Sequence, residues 1–246
     1  MRAVRLYPDG LVLEEVPRPQ PTQGEVLVRV HAAAITRDEL TWPTDRLPAI
    51  PSYELAGVVE ASDEEVIALT PFDRDGVAAD YASVPEFVLA PKPAGLSYEL
   101  AAALPLPALS AWQGLVVHGG LEAGERVLIT GARGGVGHVA VQLVRALGGV
   151  LVEEGHACDL LFDTAGGETL ARSADRATRV VTIAAEAPGA DYFVVVPDGA
   201  QLASMPDLKP QVDSVFPLED SRAAFERAAA RGKRGKVVLR VAGEPG

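Results

Sequence analysis

The chain has 246 residues, of which 48% are hydrophobic and 23% are charged. That length allows one large domain or two modest ones, and the composition is that of an ordinary globular protein and excludes a disordered chain. The formal net charge of −12 argues against a nucleic-acid partner, because a phosphate backbone is bound by clustered lysine and arginine. The single cysteine, Cys158, excludes an internal disulfide framework and any zinc site built from several cysteines.

No targeting or membrane-spanning segment is expected. The apolar runs are short and broken by glycine, proline or charge, whereas a transmembrane helix needs about 20 apolar residues. Met1 to Leu13 alternates like a strand and lacks the apolar stretch of a secretory signal. These features predict a cytoplasmic protein with no membrane partner.

The first third of the chain alternates polar and apolar residues with the period of a strand, which predicts an all-β unit with many turns. Pro17, Pro19 and Pro21 interrupt the pattern, because proline cannot donate a hydrogen bond to a sheet. The predicted strands are Arg2 to Leu6, Leu11 to Leu13, Glu25 to Val30, Leu55 to Glu60, Val66 to Leu69 and Ala79 to Val84.

Helical patterns begin near Ser97, which is placed to cap a helix from Tyr98 to Leu104. Pro105 and Pro107 then interrupt the pattern, and a second helix is predicted over about Leu109 to His118.

Beyond residue 125, short apolar runs alternate with helical ones, which is typical of a parallel sheet covered by helices. The predicted strands here are Val127 to Thr130, Asp159 to Asp163, Arg179 to Ala184 and Tyr192 to Val196, and the predicted helices are Val136 to Leu147 and Glu168 to Asp175. The tail has an amphipathic helix, Ser221 to Arg231, and a closing strand, Lys236 to Val241.

A glycine-rich run joins the strand that ends at Thr130 to the helix after it. The run reads Gly131-Ala132-Arg133-Gly134-Gly135-Val136-Gly137-His138-Val139-Ala140. Gly135, Gly137 and Ala140 fit the G-x-G-x-x-G/A fingerprint of dinucleotide-binding proteins in its required context, after a strand and at the start of a helix. In that motif the first glycine makes the tight turn, the second lets the backbone approach a pyrophosphate, and the third position lets the helix pack closely. The unpaired N–H groups of the helix start then face the anion; the alternative is a glycine-rich turn that binds nothing.

The residue that selects NAD or NADP usually follows about 20 residues later, where this chain has Glu153 and Glu154. A carboxylate there suits a free ribose hydroxyl and repels a 2′-phosphate, which favours NAD. Arg133 in the glycine loop favours the opposite choice, because it can bind a phosphate. A solvated surface role stays open for all three side chains, so the sequence predicts NADPH or NADH without deciding between them.

The run from Thr130 to Gly137, followed by Val141-Gln142-Leu143, resembles the cofactor loop of zinc-free, zeta-crystallin-type quinone oxidoreductases in the medium-chain dehydrogenase/reductase superfamily. Further matching segments lie in the expected order at 17–30, 47–59, 90–113, 163–167 and 235–240. The resemblance implies an α/β plus β protein, with a GroES-like β-rich catalytic domain (1–108), an inserted Rossmann-type parallel-sheet domain (109–211) and a C-terminal return to the catalytic domain (212–246). It also implies hydride transfer from NADPH or NADH to a quinone, an enone or another activated carbonyl compound.

Zinc-bearing relatives carry a cysteine after an early strand and a Gly-His-Glu motif later. Here the first place reads Ala34-Ile35-Thr36-Arg37-Asp38 and the second reads Ser52-Tyr53-Glu54. Neither offers the cysteine or histidine that a catalytic zinc requires, and the four-cysteine structural lobe is missing, so no metal is predicted.

The resemblance also implies the residues of a metal-free site. It puts Thr36 where many members carry an asparagine near the nicotinamide, and Ser110 where the nicotinamide half is contacted. Tyr53 stands in the place of the zinc-binding histidine and is predicted to polarise a carbonyl or donate a proton; the alternative is a buried structural phenol. Lys236 lies in a motif that reaches the cofactor, or is a plain surface lysine. The predicted cofactor-binding set is Ser110, Gly131, Ala132, Arg133, Gly134, Gly135, Val136, Gly137, Glu153 and Lys236.

The chain is several dozen residues shorter than the usual member, and one loss falls inside the dinucleotide domain. Relatives place a helix, a strand and a further helix between the second and fourth Rossmann strands, where this chain has only the six residues 153–158. Six extended residues span at most ~20 Å, whereas a parallel crossover normally needs a dozen residues or more. Either Leu151-Val152 is not a regular parallel strand or the sheet is reduced on that edge, and the grip on a 2′-phosphate is lost.

The opposite edge carries the apolar run Tyr192 to Val196, which is an aggregation hazard if left bare. Relatives pair this strand across a two-fold axis, so the resemblance implies a homodimer.

Two functions compete: a metal-free NAD(P)H-dependent reductase of small-molecule quinones or enones, and a cofactor-poor relative that acts as a binding or non-redox protein. The short connection at 153–158 is the feature that favours the second.

Overall fold

The computed structural model describes residues 1–42 and 45–242, and the described chain divides into two compact units. The β unit comprises Met1–Pro105, Pro197–Ser204 and the described residues from Gln211 onward; the α/β unit comprises Leu106–Val196 and Met205–Pro210. The chain therefore leaves the β unit after Pro105 and returns to it for its C-terminal segment.

Both units contain strands and α-helices, which are numbered here in chain order. The strands are β1 (Arg2–Tyr7), β2 (Gly10–Glu15), β3 (Glu25–Ile35), β4 (Glu54–Val59), β5 (Glu65–Leu69), β6 (Tyr81–Pro85), β7 (Leu89–Pro91), β8 (Arg126–Thr130), β9 (Val150–Leu151), β10 (Cys158–Asp163), β11 (Ala177–Thr182), β12 (Asp191–Tyr192), β13 (Val212–Pro217) and β14 (Lys236–Arg240). The α-helices are α1 (Tyr98–Ala102), α2 (Pro105–Trp112), α3 (Gly135–Ala146), α4 (Gly167–Ala174), α5 (Gly199–Ser204) and α6 (Ser221–Ala229).

In the β unit, β1 and β2 form an antiparallel hairpin, and a larger sheet has the order β13-β14-β3-β4-β5-β7, with β6 also paired to β3. The 11-residue β3 lies at the centre of this sheet. From Val30 to Ile35 all of its residues are buried, which is why this stretch is continuously apolar apart from His31. The unit's core gathers apolar side chains from both sheets and from α6, including Leu55 and Phe225.

Gly57 of β4 allows the close approach of β3 and β4. The pairing of the two strands shifts register between Val30 and Ala32, and a Cβ on Gly57 would lie 2.3 Å from the carbonyl oxygen of Arg29. No side chain fits there, so glycine is required at this position. Beyond the bulge Ala34 lies opposite Glu54, which places the chain just after β3 beside the chain just before β4.

The helix start predicted at Ser97 is confirmed, because its hydroxyl accepts the N–H of Leu100 at 3.3 Å. The two predicted helices are present, but the second begins at Pro105 rather than near Leu109, so both prolines lie in the first turn of α2. First-turn N–H groups have no partner inside a helix, so proline is tolerated there. A π-helical segment, Gln113–His118, follows α2 directly.

One helical stretch in the described chain, Tyr98–His118, is long and apolar enough to cross a membrane, contrary to the expectation from the sequence. Its length and composition alone would allow it to span a membrane, but 78% of its most apolar 18-residue stretch is buried inside the protein. It has the character of a core helix, whose apolar residues are covered by neighbouring elements.

The α/β unit contains a sheet of order β12-β11-β10-β8-β9 in which every pair is parallel. This arrangement confirms the predicted α/β class. The helix after β8, α3, buries Val139, Ala140, Leu143 and Val144, so its apolar face covers the sheet, while the loop before it, residues 131–134, is exposed. The two units thus supply a β-rich domain and a parallel-sheet domain, as the sequence predicts.

The predicted reduction of the sheet edge is confirmed. The two-residue β9 is the outermost strand on its side of the described sheet. Leu151 of β9 and Leu160 of β10 flank the same residue, Val127 of β8, from opposite sides. The six residues 152–157 must therefore return the chain past β8, a lateral step of about 10 Å for two strand spacings. So short a connection leaves no room for a longer β9 or for a strand beyond it.

The predicted strand from Tyr192 to Val196 is wrong beyond Tyr192, where β12 ends. The Gln113 side chain binds the backbone of Val196, donating to its oxygen at 2.8 Å and accepting its N–H at 3.0 Å. The ring of Phe193 stacks on that of His118 with 4.2 Å between centroids. These contacts tie the segment to the helix that contains Gln113 and draw it away from the sheet. Among the strands and α-helices of the described residues, β7, α5 and β13 were not predicted.

Candidate functional site

The glycine loop follows β8 and leads into α3. Residues Gly131 to Gly134 are exposed, and α3 begins at Gly135 with no side chain capping its start. The helical hydrogen bonds begin with the amide of His138, which donates to the Gly134 oxygen at 2.9 Å. The amide of Gly134 donates to the Gly131 oxygen at 2.8 Å, so the amides that can bind an oxygen-rich anion are those of the first helical residues, 135–137.

Two glycines of this loop are required by packing. Gly131 has a φ of +68°, and a Cβ there would lie 2.4 Å from the hydroxyl of Thr164. A Cβ on Gly137 would lie 2.2 Å from the carbonyl oxygen of Gly131. Gly137 is predicted to keep a pyrophosphate clear of side chains, and the structure adds that a side chain here would displace the loop itself. A substitution at Gly137 therefore tests the loop's integrity as well as its ligand.

A buried carboxylate fastens the strand ends beside the loop. Asp163, at the end of β10, is fully buried and accepts the hydroxyls of Thr130 (2.5 Å) and Thr182 (2.8 Å), which end β8 and β11. It also accepts the N–H of Gly166 at 3.1 Å. The ends of three neighbouring strands are thus tied to one side chain, which fixes the point where the glycine loop leaves the sheet.

The predicted selectivity residues lie on the surface after β9. Glu153 and Glu154 are exposed, and Glu154 faces Arg172 at 3.4 Å. Arg133 is exposed within the glycine loop. Both carboxylates therefore lie at the end of the second strand of the sheet, as the sequence predicts, and their role toward a ribose stays a prediction.

The β unit contains a buried cluster of charged groups around Thr36. The Lys236 side chain, 8% exposed, forms an ion pair with Glu54, which is fully buried. The ammonium of Lys236 also donates to the hydroxyl of Thr36 at 3.0 Å. Lys236 is predicted to reach the cofactor or to be a plain surface lysine. The surface alternative is wrong, because the residue is buried and its ammonium binds Glu54 and Thr36.

A second buried carboxylate, that of Glu39, holds the backbone on either side of this cluster. Its two oxygens accept the N–H of Thr36 and the N–H of Ser52, each at 2.8 Å. Burial raises the pKa of Glu39 to about 8, although the N–H of Thr36 and the charge of Lys236 act in the opposite direction. Glu39 therefore fixes the chain after β3 against the chain before β4.

Tyr53 lies in an aromatic cluster with Trp42 and Phe72. Its ring centroid is 5.9 Å from that of Trp42 and 5.2 Å from that of Phe72. Burial raises the pKa of the Tyr53 phenol, and the nearby charge of Glu39 raises it further. The half-buried phenol therefore keeps its proton at neutral pH, which is the form that a hydrogen-bond donor to a carbonyl needs.

Thr36 also lies on the wall of a cavity of about 340 Å³ inside the β unit. The wall is mostly apolar, with a few charged groups. It is formed by residues of the β1–β2 hairpin, of the segment after β3 and of α6, namely Leu6, Gly10, Leu11, Thr36, Asp38, Glu39, Leu40, Thr41, Arg222, Phe225, Glu226, Ala228 and Ala229. A cavity of this size and character suits a small apolar molecule with one polar group.

The structure brings some of the predicted residues together. Thr36 and Lys236 meet directly in the β unit. The loop residues and Glu153 lie in the α/β unit, as does Ser110, which is 2% exposed within α2. The cofactor and catalytic roles of all these residues stay predictions.

Sequence reasoning missed Glu39, Glu54 and Asp163. Thr36 and Glu39 are three residues apart, and the carboxylate reaches back to the Thr36 N–H as in a capping box; that spacing was a usable signal. Asp163 ends an apolar strand, and an acidic residue at the end of such a strand was a second usable signal. Nothing local marks Glu54 as buried, because its partner Lys236 is far away in the sequence.

Within residues 1–42 and 45–242, no three histidine, cysteine, aspartate or glutamate side chains cluster in a way that could hold a metal ion. The two segments compared with the zinc-binding motifs of relatives, residues 34–38 and 52–54, contain neither cysteine nor histidine, and the absence of metal stays a prediction.

Known proteins resemble this chain in sequence and in fold, although no protein-family model matches it. The probable zinc-binding oxidoreductase, mitochondrial, of Arthroderma benhamiae is 29% identical over 308 aligned residues, covering 94% of this chain and 93% of that protein. The human quinone oxidoreductase is 32% identical over 166 residues, covering 60% of this chain and 50% of that protein. Among solved structures, the quinone oxidoreductase from Thermus thermophilus, also determined in its complex with NADPH, matches with a TM-score of 0.83 and 29% identity over 98% of this chain and 100% of that one.

A GroES-like β domain joined to a Rossmann-type parallel sheet defines the medium-chain dehydrogenase/reductase fold, and the match in fold confirms the predicted architecture. The chain belongs to the medium-chain dehydrogenase/reductase superfamily and is an oxidoreductase of the quinone oxidoreductase-like kind. It is shorter than its relatives: the alignment with the Arthroderma protein extends over 308 positions, whereas this chain has 246 residues. Its aligned part spans about half the length of the human enzyme.

Proposed function

We propose that this oxidoreductase takes its hydride from NADH or NADPH, delivers it to a quinone, an enone or another activated carbonyl compound, and needs no metal. The observation that carries the proposal is the glycine loop, in which exposed residues 131–134 precede a 12-residue helix whose start no side chain caps. Backbone amides in this arrangement bind a diphosphate. The Thermus relative, whose complex with NADPH is known, supports the same ligand class.

The residues present fit a dinucleotide. The amides of residues 135–137 would bind the pyrophosphate, Arg133 would add a positive charge beside it, and Glu153 would accept a hydrogen bond from a free ribose hydroxyl. When bound, the nicotinamide supplies the hydride. The β unit would then bind the substrate in the cavity beside Thr36. The Thr36 hydroxyl and the Tyr53 phenol are the two candidate hydrogen-bond donors to the substrate carbonyl.

Fluorescence titration of NADH and NADPH tests the cofactor site directly. We expect saturable binding by the wild type and a dissociation constant at least about tenfold larger for Arg133→Glu, because a charge-assisted contact contributes about 1.5–3 kcal/mol. Arg133 is exposed, so the fold does not depend on it.

The matched control is Arg145→Glu, which makes the same charge change near the far end of α3. Residues 135 and 145 are about 15 Å apart along the helix, beyond the ~10 Å screening length at 0.1 M salt. Equal binding by both variants would show that the glycine loop does not hold the dinucleotide.

Independence from metal is tested by elemental analysis and by turnover. We expect purified enzyme to carry no stoichiometric zinc, and the rate of reduced-cofactor oxidation by a quinone to be unchanged after dialysis against a chelator. The physical reason is that the carboxylates nearest Thr36, which could otherwise bind a metal, are already engaged by backbone N–H groups and by Lys236. A rate that falls with the chelator and returns with zinc would contradict the proposal.

The reduced sheet favours one alternative, a cofactor-poor relative that acts as a binding or non-redox protein. The sheet ends at β9, and six residues connect it to β10, so the region that would cover the adenosine is small. The titration above separates the two functions. No fluorescence change with either nucleotide at millimolar concentration would support the alternative.

We propose that the chain forms a homodimer through the edge that Tyr192 to Val196 occupies. The short β12 leaves the sheet open there, and Val194 and Val196 are 60% and 63% exposed. Apolar side chains beside an open sheet edge are usually covered by a partner. Light scattering during size-exclusion chromatography should give a dimer for the wild type and a monomer for Val194→Glu. A monomeric wild type would refute this assembly.

A further inference from the structure

The hydroxyl of Thr36 is oriented by the charged groups behind it. A lysine ammonium has only donors, so in the 3.0 Å contact with Lys236 the Thr36 oxygen is the acceptor. The hydroxyl proton is then left to donate. Its nearest acceptor is an oxygen of Glu54 at 3.4 Å, which is long for an O–H···O hydrogen bond. A substrate oxygen at Thr36 would therefore compete well for this proton.

Burial keeps this arrangement in one geometry. The Lys236 side chain is 8% exposed and Glu54 is fully buried, so the ammonium cannot swing into water without leaving a buried carboxylate unpaired. Glu39 holds the backbone N–H of Thr36 at 2.8 Å. The hydroxyl is thus fixed from two directions, through its oxygen by Lys236 and through its backbone by Glu39.

We propose that Lys236 and Thr36 form the proton-delivery path of the reaction, an inference that rests on the proposed function. Hydride addition to a quinone or an enone leaves an electron pair and a negative charge on the substrate oxygen. That oxygen takes the proton of Thr36 as its O–H bond breaks, and the threonine oxygen takes a proton from Lys236 as an N–H bond breaks. The product leaves as a neutral hydroxyl compound, and the neutral amine of Lys236 regains a proton from solvent.

Proton donation to a reacting oxygen by a positioned side chain is general acid catalysis, and the fixed contact between Lys236 and Thr36 supplies that position. Thr36 touches the substrate in this scheme, and Lys236 is a positioning residue that acts through it.

Exchange of lysine for arginine separates charge from proton transfer. Lys236→Arg retains a cation beside Glu54, but a guanidinium does not deprotonate in a protein. We expect kcat for quinone reduction to fall by about 100-fold or more with KM nearly unchanged, since general acid catalysis contributes about 10²–10⁴-fold. Lys92→Arg is the matched control, because Lys92 is also 8% exposed and also ion-paired, with Glu65 at 3.3 Å; its kcat should equal that of the wild type.

Substitutions at Thr36 give an independent test that avoids the buried charge. Thr36→Val removes the hydroxyl and should lower kcat as Lys236→Arg does, whereas Thr36→Ser keeps it and should restore kcat to within about threefold of the wild type. The solvent deuterium isotope effect on kcat, present in the wild type, should return with serine.

A spectroscopic readout needs no bound cofactor. The chain has four lysines, Lys92, Lys209, Lys233 and Lys236, so ¹⁵N labelling of the lysine side chains gives few signals to assign. The Lys236 ammonium should show slow proton exchange in the free protein. Thr36→Val should shift its resonance, and Thr36→Ser should return it.

The outcomes distinguish the two proposals. An active wild type whose Lys236→Arg variant is folded and turns over equally fast would overturn the proton path and leave the proposed function intact. A Lys236 signal that does not respond to Thr36→Val would also overturn the path. A wild type that oxidises neither NADH nor NADPH with any quinone or enone would overturn the proposed function, and the path with it.

Discussion

Replacement of Asp163 by alanine should destabilise the α/β unit strongly. The carboxylate is fully buried and accepts two threonine hydroxyls, those of Thr130 and Thr182. Both threonines are themselves buried, at 5% and 0% exposure, so without Asp163 their protons have no acceptor. An unsatisfied buried donor costs about 1–3 kcal/mol. The two hydroxyls together give a loss of about 3 kcal/mol, after allowance for the desolvation of the carboxylate that the substitution removes.

Thermal unfolding followed by circular dichroism measures this effect. For a chain of this length about 1 kcal/mol corresponds to 2–4 °C in Tm, so Asp163→Ala should melt about 6–12 °C below the wild type. Asp163→Asn should lose less, because the amide keeps the shape and one acceptor. The control is Asp159→Ala on the same strand, whose side chain is 34% exposed and should shift Tm by only a few degrees. An Asp163→Ala variant that melts with Asp159→Ala would refute the reasoning.

Three further substitutions test other features of the structure. The pKa of Glu25 is lowered to about 2, chiefly by the hydrogen bond from the N–H of Thr22. The ionised carboxylate therefore stabilises the folded protein fully above the unfolded pKa of about 4.5, and this contribution is lost as pH falls toward 2. In urea titrations over that range, Glu25→Gln should lose less stability than the wild type. Gly114→Ala would place a Cβ 2.3 Å from the ring of the buried Phe162, so its free energy of unfolding should fall by about 1–3 kcal/mol despite the better helix propensity of alanine. Glu153→Gln should raise the affinity for NADPH relative to NADH several-fold in the fluorescence titration, because it removes a carboxylate that repels a 2′-phosphate.

Each of these three has a result that would contradict it. Parallel stability curves for Glu25→Gln and the wild type between pH 5 and pH 2 would show that the lowered pKa does not contribute. A Gly114→Ala variant as stable as the wild type would show that the Phe162 ring moves aside. For Glu153→Gln the matched control is Glu154→Gln, whose carboxylate faces Arg172; an equal change in both would assign the effect to general charge.

The sequence predicts those parts of the fold that depend on short-range patterns. The Ser97 cap, the strand–glycine–helix unit at Thr130 to Gly137 and most strands of the β unit follow from local spacing. β13 was missed because its residues, Val212–Pro217, are mostly half-buried or exposed; this strand is stabilised by pairing with β14 more than by an apolar face of its own.

The buried charge cluster was harder to predict for a related reason. Acidic residues such as Glu39 and Glu54 are exposed in most proteins. Here Glu54 is buried with Lys236 as its partner, and Glu39 is buried with two backbone N–H groups as its partners. That lysine lies 200 positions from the Thr36 hydroxyl it binds, so the chain must fold before the contact exists. Local patterns identify the candidate cofactor loop, but only the tertiary structure brings together the groups of the proposed proton path.

The shortened sheet leaves little to support an adenosine but keeps the glycine loop and Asp163, the parts on which the proposed function depends. The missing strand would lie beyond β9, whereas the glycine loop follows β8 and Asp163 ends β10, both in the interior of the sheet. The loss is therefore confined to one edge. What remains after β9 is acidic: Glu153 and Glu154 are both exposed there, and the nearby Arg172 is already engaged with Glu154. A 2′-phosphate bound there would meet negative charge and little compensating positive charge, so we expect any discrimination between the two nucleotides to rest on repulsion at that edge rather than on a pocket that holds the phosphate.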